Sequence, residues 1–256
     1  MKKYQQTLET ILFRSSSEMR AEVAAGSMGM FIWILEPLLY LSAFYIIFSA
    51  LNLRGGKDAV PFLLIGLIVW KWFAYSVYRG AFSIMLAAAI MQQIHVPKYI
   101  FLVSTLLSGF YQFLIVFVFL ILFLLLYGIE PNWGWLNLTV VIFLQFFLIM
   151  GIAGLFAVLL PFATDLQVVI SNGLTLIFFM SGIFFDVSSL SEYYQRILYL
   201  NPMVSIIETY RDILLTGHIH NWSSLGIVAI VTIILIAITI YLIRKWDKVY
   251  PKVLPA

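Results

Sequence analysis

Between Leu225 and Ile243 the chain runs 19 residues without a charged side chain. As a helix this stretch rises about 28 Å, close to the ~30 Å hydrocarbon core of a bilayer. Leu166–Phe185, Tyr99–Tyr127 and Trp135–Phe162, which Pro161 ends, are equally free of charge. Val23–Leu53 is interrupted only by Glu36, and Val60–Ala89 only by Lys71 and Arg79. Backbone polar groups in lipid must be satisfied within the segment, so all six runs are predicted to be helices. The sequence thus predicts an all-α integral membrane protein with six transmembrane helices. Composition agrees: 63% of the residues are hydrophobic and 11% charged, where a soluble domain carries about 25% charged residues.

The basic residues orient the bundle. Lys2, Lys3, Arg14, Arg20, Lys98, Arg244, Lys245, Lys248 and Lys252 fall on one side, and Arg54, Lys57, Arg196 and Arg211 on the other. The richer side, which holds both termini, is predicted to be cytoplasmic. The opening residues do not read as a signal peptide, because Lys2 and Lys3 lead into a mixed polar stretch.

Residues 1–22 are predicted to form an amphipathic helix along the cytoplasmic interface, since Tyr4, Leu8, Ile11, Leu12, Met19 and Val23 recur at helical spacing among basic residues. An ordinary membrane anchor fits this pattern equally. Spans one to five occupy 23–185. Met91–Lys98 is the main cytoplasmic loop, in which Pro97 stops a continuous helix. Residues 186–221 form the long external connection. There Ser189 and Glu192 read as a capping box, Asn201–Pro202 as an N-cap with proline at the first helical position, and Gly217 as the stop. Its apolar content predicts a re-entrant helical hairpin between spans five and six. The sixth span, 222–243, leads to a cytoplasmic tail, 244–256.

Much chemistry is missing. The chain has no cysteine, hence no disulfide or thiolate site. Gly55-Gly56-Lys57 is followed by Asp58 and lacks the upstream glycine of a phosphate-binding loop. With no acid cluster or nucleophile motif, catalytic residues, metal sites and cofactors bound by this chain are not expected. His218 and His220 read as interfacial histidines. A net charge of +3 gives no case for nucleic acid. Any active transport must draw its energy from a partner or an ion gradient.

Glu36, Lys71 and Arg79 are costly in hydrocarbon and read as a candidate site; a pair that only locks the first span to the second fits them equally. Counted from the outer ends of their spans they lie ~22, ~15 and ~27 Å deep, which predicts an ion pair of Glu36 with Lys71 or Arg79. Aromatic residues make up 17% of the chain. On the first span Trp33, Tyr40, Phe44 and Phe48 fall within about 60° of one helix face. On the second, Tyr75 and Tyr78 share a face with Phe82; on the fifth, Phe178 and Phe185 do. Such stripes suit a conduit for sugars, whose apolar C–H faces slide over rings; interface belts and plain packing account for them as well.

The string Tyr199-Leu200-Asn201-Pro202-Met203, continued by Ile207-Glu208, Tyr210-Arg211 and Leu214-Leu215, resembles a signature of ABC-2 type permeases that export bacterial polysaccharides such as O-antigen, capsule and teichoic acid. Gly29 with Leu35-Glu36-Pro37, Phe62-Leu63-Leu64 with Gly66 and Trp70, and Pro97-Lys98 with Ile100 are similar to further family patterns in the same order. Gly182 stands where the family usually has proline, and Thr164-Asp165 lacks its arginine.

This resemblance implies a homodimeric inner-membrane channel served by two copies of a separate ATP-binding subunit, which would hold ATP and Mg. It implies a lipid-linked glycan as substrate, an external gate that includes Asn201, Pro202, Glu208, Tyr210 and Arg211, and ATPase coupling through Gln92, Gln93, His95, Pro97 and Lys98. An exporter of a drug or lipid is the alternative, although the short loop between the first two spans favours glycan. An intramembrane enzyme of lipid-linked sugars would depend on Asp186, Glu192, Glu208 and Asp212. A passive channel would need no docking loop.

Overall fold

A computed structural model of the chain describes residues 2–25, 29, 31–50, 59–93, 96–247 and 249–250, with side chains for all of these except 2–4, 25, 41, 44–45 and 47–50. Most of the described residues are helical, and they contain no strand. In order they form α1 (Lys2–Ala25), α2 (Phe31–Ala50), α3 (Ala59–Leu86), α4 (Ala88–Gln93), α5 (Tyr99–Leu126), α6 (Leu138–Leu159), α7 (Leu166–Phe179), α8 (Glu192–Leu198), α9 (Pro202–Arg211) and α10 (Trp222–Trp246).

Four of the described helical stretches are long and apolar enough to cross a membrane: Ala59–Gln93, Tyr99–Leu126, Trp133–Leu159 and Trp222–Trp246. Of the other two runs, α2 is a 20-residue helix with Pro37 inside it. The proline supplies no N–H to the turn before it, which loosens the helix there. The run expected over Leu166–Phe185 is helical only to Phe179, 14 residues. Turns follow, and Gly182 has φ +67°, a conformation open to glycine at little cost.

At the centre lies α3, flanked by α5 and α6, with α2, α7 and α9 against its remaining sides. Leu63, Ile65, Val69, Trp72 and Val77 are all buried. By contrast α10 touches mainly α6 and exposes Ile227, Ile230, Ile233 and Tyr241, as a lipid-facing helix should. Gly151 and Gly154 let α10 close on α6: a Cβ at Gly151 would stand 2.8 Å from that of Leu235, and Thr239 Oγ1 donates to the Gly151 carbonyl at 3.2 Å. This close approach lies within the chain.

Although α1 forms as expected, it docks on α5 with its polar side. Ser15 is fully buried and Glu18 and Glu22 half-buried, while Leu8, Leu12 and Phe13 are exposed. An apolar face left outward is what a helix resting on lipid requires.

In the 186–221 connection α9 is buried within the bundle, with Met203, Val204, Ile206, Ile207 and Tyr210 fully covered. Asn201 caps it, accepting from the Met203 N–H at 3.0 Å, with Pro202 in the first turn. A π-helical turn, Asp212–Thr216, ends at Gly217 with φ +82°. The expected capping box is absent. Asp186 caps a short turn over Val187–Ser189, and Ser189 Oγ donates to the Asp186 carbonyl at 2.7 Å, so α8 begins after Ser191. The nearer acceptor drew Ser189 into a local turn.

Candidate conduit, gate and coupling elements

Three groups of the singled-out side chains come together, and several fall apart. The first group is aromatic. A groove of about 320 Å³ between α2, α3 and α7 is lined by Tyr40, Trp70, Lys71, Phe178 and Phe179 among others. The Phe178 ring is central: it lies 6.5 Å from Tyr40 at 66°, 5.8 Å from Trp70, 5.2 Å from Phe179 and 5.1 Å from Phe184 at 90°. Edge-to-face geometry of this kind is favoured by the ring quadrupole. Lys71 Nζ sits 5.3 Å from the centre of the Tyr40 ring, within cation–π range.

Not every predicted lining residue joins this groove. Trp33 and Tyr75 line a separate chamber. Tyr78 is exposed, against Phe82 at 4.9 Å. Phe184, and not the half-buried Phe185 beside it, packs against Phe178 and Phe179, because the chain has already left the helix there. Phe44 and Phe48 lie outside the described side chains.

The second group is charged. Glu36 pairs with Lys71. Arg79 turns instead to Glu22 of α1, at 3.7 Å. Glu22 also accepts hydrogen bonds from the Tyr75 hydroxyl and the Gln112 amide, and Glu18 accepts from Thr105 at 3.1 Å and Arg14 at 2.8 Å. Two α1 carboxylates therefore tie the interface helix to α3 and α5. Counting charges within spans misses this hub, since Glu22 precedes the first span. The available signal was Gln112, the one amide side chain in the uncharged Tyr99–Tyr127 run, which needs a partner in lipid.

The third group surrounds α9. Arg211 is buried and donates to three carbonyls: Nη1 to Gly182 at 2.7 Å, Nη2 to Ile183 at 2.8 Å and Nε to Phe62 at 3.1 Å. Its guanidinium also stacks on the Phe62 ring, 3.3 Å from the centroid. A planar fork with several fixed donors suits this role, as an ammonium does not. Asn201 Nδ2 donates to Ser181 Oγ at 2.9 Å, so cap and arginine grip the same 181–183 turn. Glu208 accepts from the Tyr199 hydroxyl at 2.7 Å. Burial pushes the Glu208 carboxyl above the usual range, opposed by that hydrogen bond and by Arg211. Tyr210 is fully buried, edge-on to Phe117 at 6.1 Å.

On the side assigned to the cytoplasm, Gln92 and Gln93 end α4 and are exposed, and Pro97 is half-buried. His95 lies outside the described residues. Lys98 differs from its neighbours: it is 2% exposed, and its Nζ meets Asp247 Oδ1 at 3.1 Å. It braces the loop against the end of α10. Nearby Tyr250 is buried, its ring 5.6 Å from that of Phe162.

Residues 17–215 match the family described as ABC-2 type transporter, well over half of the chain. The chain belongs to the ABC-2 type transporter family. Among its relatives, the O-antigen export system permease protein RfbA of Klebsiella pneumoniae is 26% identical over 231 residues, spanning 90% of this chain and 89% of that protein. A protein of the same name in Myxococcus xanthus is 25% identical over 222 residues, 86% of this chain and 85% of its own length. The polysialic acid transport protein KpsM of Escherichia coli is 26% identical over 246 residues, 94% of each chain. The family match therefore takes in α9 and ends before α10.

Proposed function

We propose that this chain is the membrane permease of an ATP-driven exporter that carries a lipid-linked polysaccharide across the bacterial inner membrane. The aromatic groove carries the reading: Tyr40, Trp70, Phe178 and Phe179 form a ring-lined track beside one cation. Rings offer apolar faces to each passing sugar without demanding a register. The near full-length relatives named for O-antigen export and polysialic acid transport support the same cargo class.

In this reading α2 and α7 complete six spans with both termini cytoplasmic, and α8–α9 form the external gate, re-entrant at α9. Two copies assemble so that paired grooves enclose the path. A separate ATP-binding subunit, also in two copies, docks against α1 and the 91–98 loop, where Gln92, Gln93 and Pro97 reach it. Lys98 holds the loop in place from within. ATP and Mg belong to that subunit.

The deciding experiment replaces Tyr40 and Phe178 with alanine in a cell that builds the glycan. Surface glycan should fall severalfold at normal permease level, with glycan accumulating inside. Normal surface display at normal protein level would refute the conduit.

A further inference from the structure

In the six-span reading the connection from α5 to α6 lies outside, on the same side as 186–221. There Asn132-Trp133-Gly134-Trp135 leads into a short 3₁₀ turn, Trp133–Asn137. Beside the turn is a cavity of about 400 Å³, lined by Phe117, Asn132, Trp133, Trp135 and Leu136 among others. Pockets for small molecules span about 300–1,000 Å³. The loop is held in place before anything binds. The Trp135 backbone N–H donates to the Asn132 carbonyl at 3.1 Å. The turn packs on the π-helical turn Asp212–Thr216, and a Cβ at Gly134 would overlap the Gly217 carbonyl oxygen. Phe117, in the cavity wall, meets Tyr210 of α9 with ring centres 6.1 Å apart. The cavity thus adjoins the proposed gate.

Four observations specify the occupant. Trp133 is 88% exposed, a broad apolar face on a fixed loop. The Trp135 indole N–H, by contrast, is buried and has no acceptor among the described residues, whereas buried donors ordinarily have one. Asn132 precedes the turn, yet its side chain makes no capping bond, so its amide can serve a ligand as both donor and acceptor. Finally, the lining holds no charged side chain, and the charged residue that adjoins it in sequence, Glu130, is an acid. A phosphate or carboxylate would find no cation here. A neutral pyranose fits each observation: its C–H face covers an indole, and its hydroxyls both accept and donate.

We propose that this cavity is an external binding site for a neutral hexose unit of the emerging glycan. The sugar ring stacks on Trp133, one hydroxyl oxygen accepts from the Trp135 indole N–H, and another hydroxyl pairs with the Asn132 amide. The source of the sugar rests on the export reading, but the site shares no residue with the Tyr40–Phe178 groove. A chain held here, beyond the gate, is hindered from sliding back.

The test is saturation-transfer NMR on the full-length protein in nanodiscs, titrated with the methyl glycosides of glucose, galactose, mannose and N-acetylglucosamine. One ring making so few contacts should bind with a Kd on the order of 1 mM, a range this method reads. At least one glycoside should receive transfer, strongest at the protons of one C–H face. Trp133→Ala, at an exposed position that leaves the fold intact, should abolish it. Trp135→Phe keeps a ring but deletes the N–H, and should weaken binding about three- to tenfold, the worth of one hydrogen bond. Transfer that is absent for all four glycosides, or unchanged in Trp133→Ala, would overturn the proposal. So would stronger transfer to glycerol 3-phosphate or to a methyl sialoside, which would mark a site for headgroups or acidic sugars. The assay needs no transport, so its failure leaves the conduit standing, and normal glycan display after loss of Tyr40 and Phe178 leaves this site standing.

Discussion

Lys98 and Asp247 join the start of α5 to the end of α10 through a 3.1 Å ion pair in which the lysine is 2% exposed and the aspartate about a third exposed. The two partners are thus unequal. Removing the aspartate strands a buried ammonium, whereas removing the lysine leaves a carboxylate that water can reach. Breaking a buried pair from the costly side is worth about 3–5 kcal/mol. Asp247→Asn should therefore lower the melting temperature in detergent clearly more than Lys98→Met. Equal losses in a fluorescence-detected melt would mean that the pair is not the strut it resembles.

Arg211 should tolerate no substitution that loses its fork. Three carbonyls, of Phe62, Gly182 and Ile183, depend on it. Arg211→Gln should cost about 3–5 kcal/mol, and Arg211→Lys should recover only part, since one ammonium cannot serve three directions. Limited proteolysis of the 180–190 segment gives the readout. Cleavage no faster in either variant than in wild type would contradict this account.

The α1 docking rests on Glu22, which gathers Tyr75, Gln112 and Arg79. Glu22→Ala should free α1 while the spans stay folded. Hydrogen exchange should rise severalfold in α1 and remain unchanged in the core of α3. Unaltered protection of α1 would show that its contacts with α5 suffice without the carboxylate.

Glu36 and Lys71 should couple in a double-mutant cycle. Glu36→Gln leaves Lys71 in the membrane without its partner, so adding Lys71→Met should restore part of the lost stability. The interaction should amount to about 0.5–3 kcal/mol. Strict additivity in detergent melts would rule out the pair as a stabilising contact.

The helices were readable because lipid imposes a simple rule: long uncharged runs become helices. The cap at Asn201 with Pro202, the stop at Gly217 and the pairing of Glu36 were likewise legible, each being set by neighbours in sequence or by the cost of charge in hydrocarbon. Other features depended on three-dimensional choices. Leu166–Phe185 is uncharged throughout, yet its helix ends at Phe179, and Arg211, far along the chain, collects the carbonyls of the 182–183 turn. Hydropathy cannot register this. Arg79 chose Glu22 over Glu36 because α1 folds back beneath the spans. The first-span stripe is one face of a helix, as its spacing requires, but Trp33 and Tyr40 lie seven residues apart along it and open onto different cavities. Lys98 read as a coupling residue of the 91–98 loop, and only the end of α10 turns it inward.

The early end of α7 leaves a step within the membrane that the rest of the chain must cover. Fourteen residues rise about 21 Å, some 9 Å less than the hydrocarbon core. The 181–183 turn that follows is buried, and Arg211 holds its last two carbonyls, so protein and not lipid satisfies this irregular backbone. Releasing Arg211 would therefore leave two carbonyls unpaired at membrane depth as well as loosening α9.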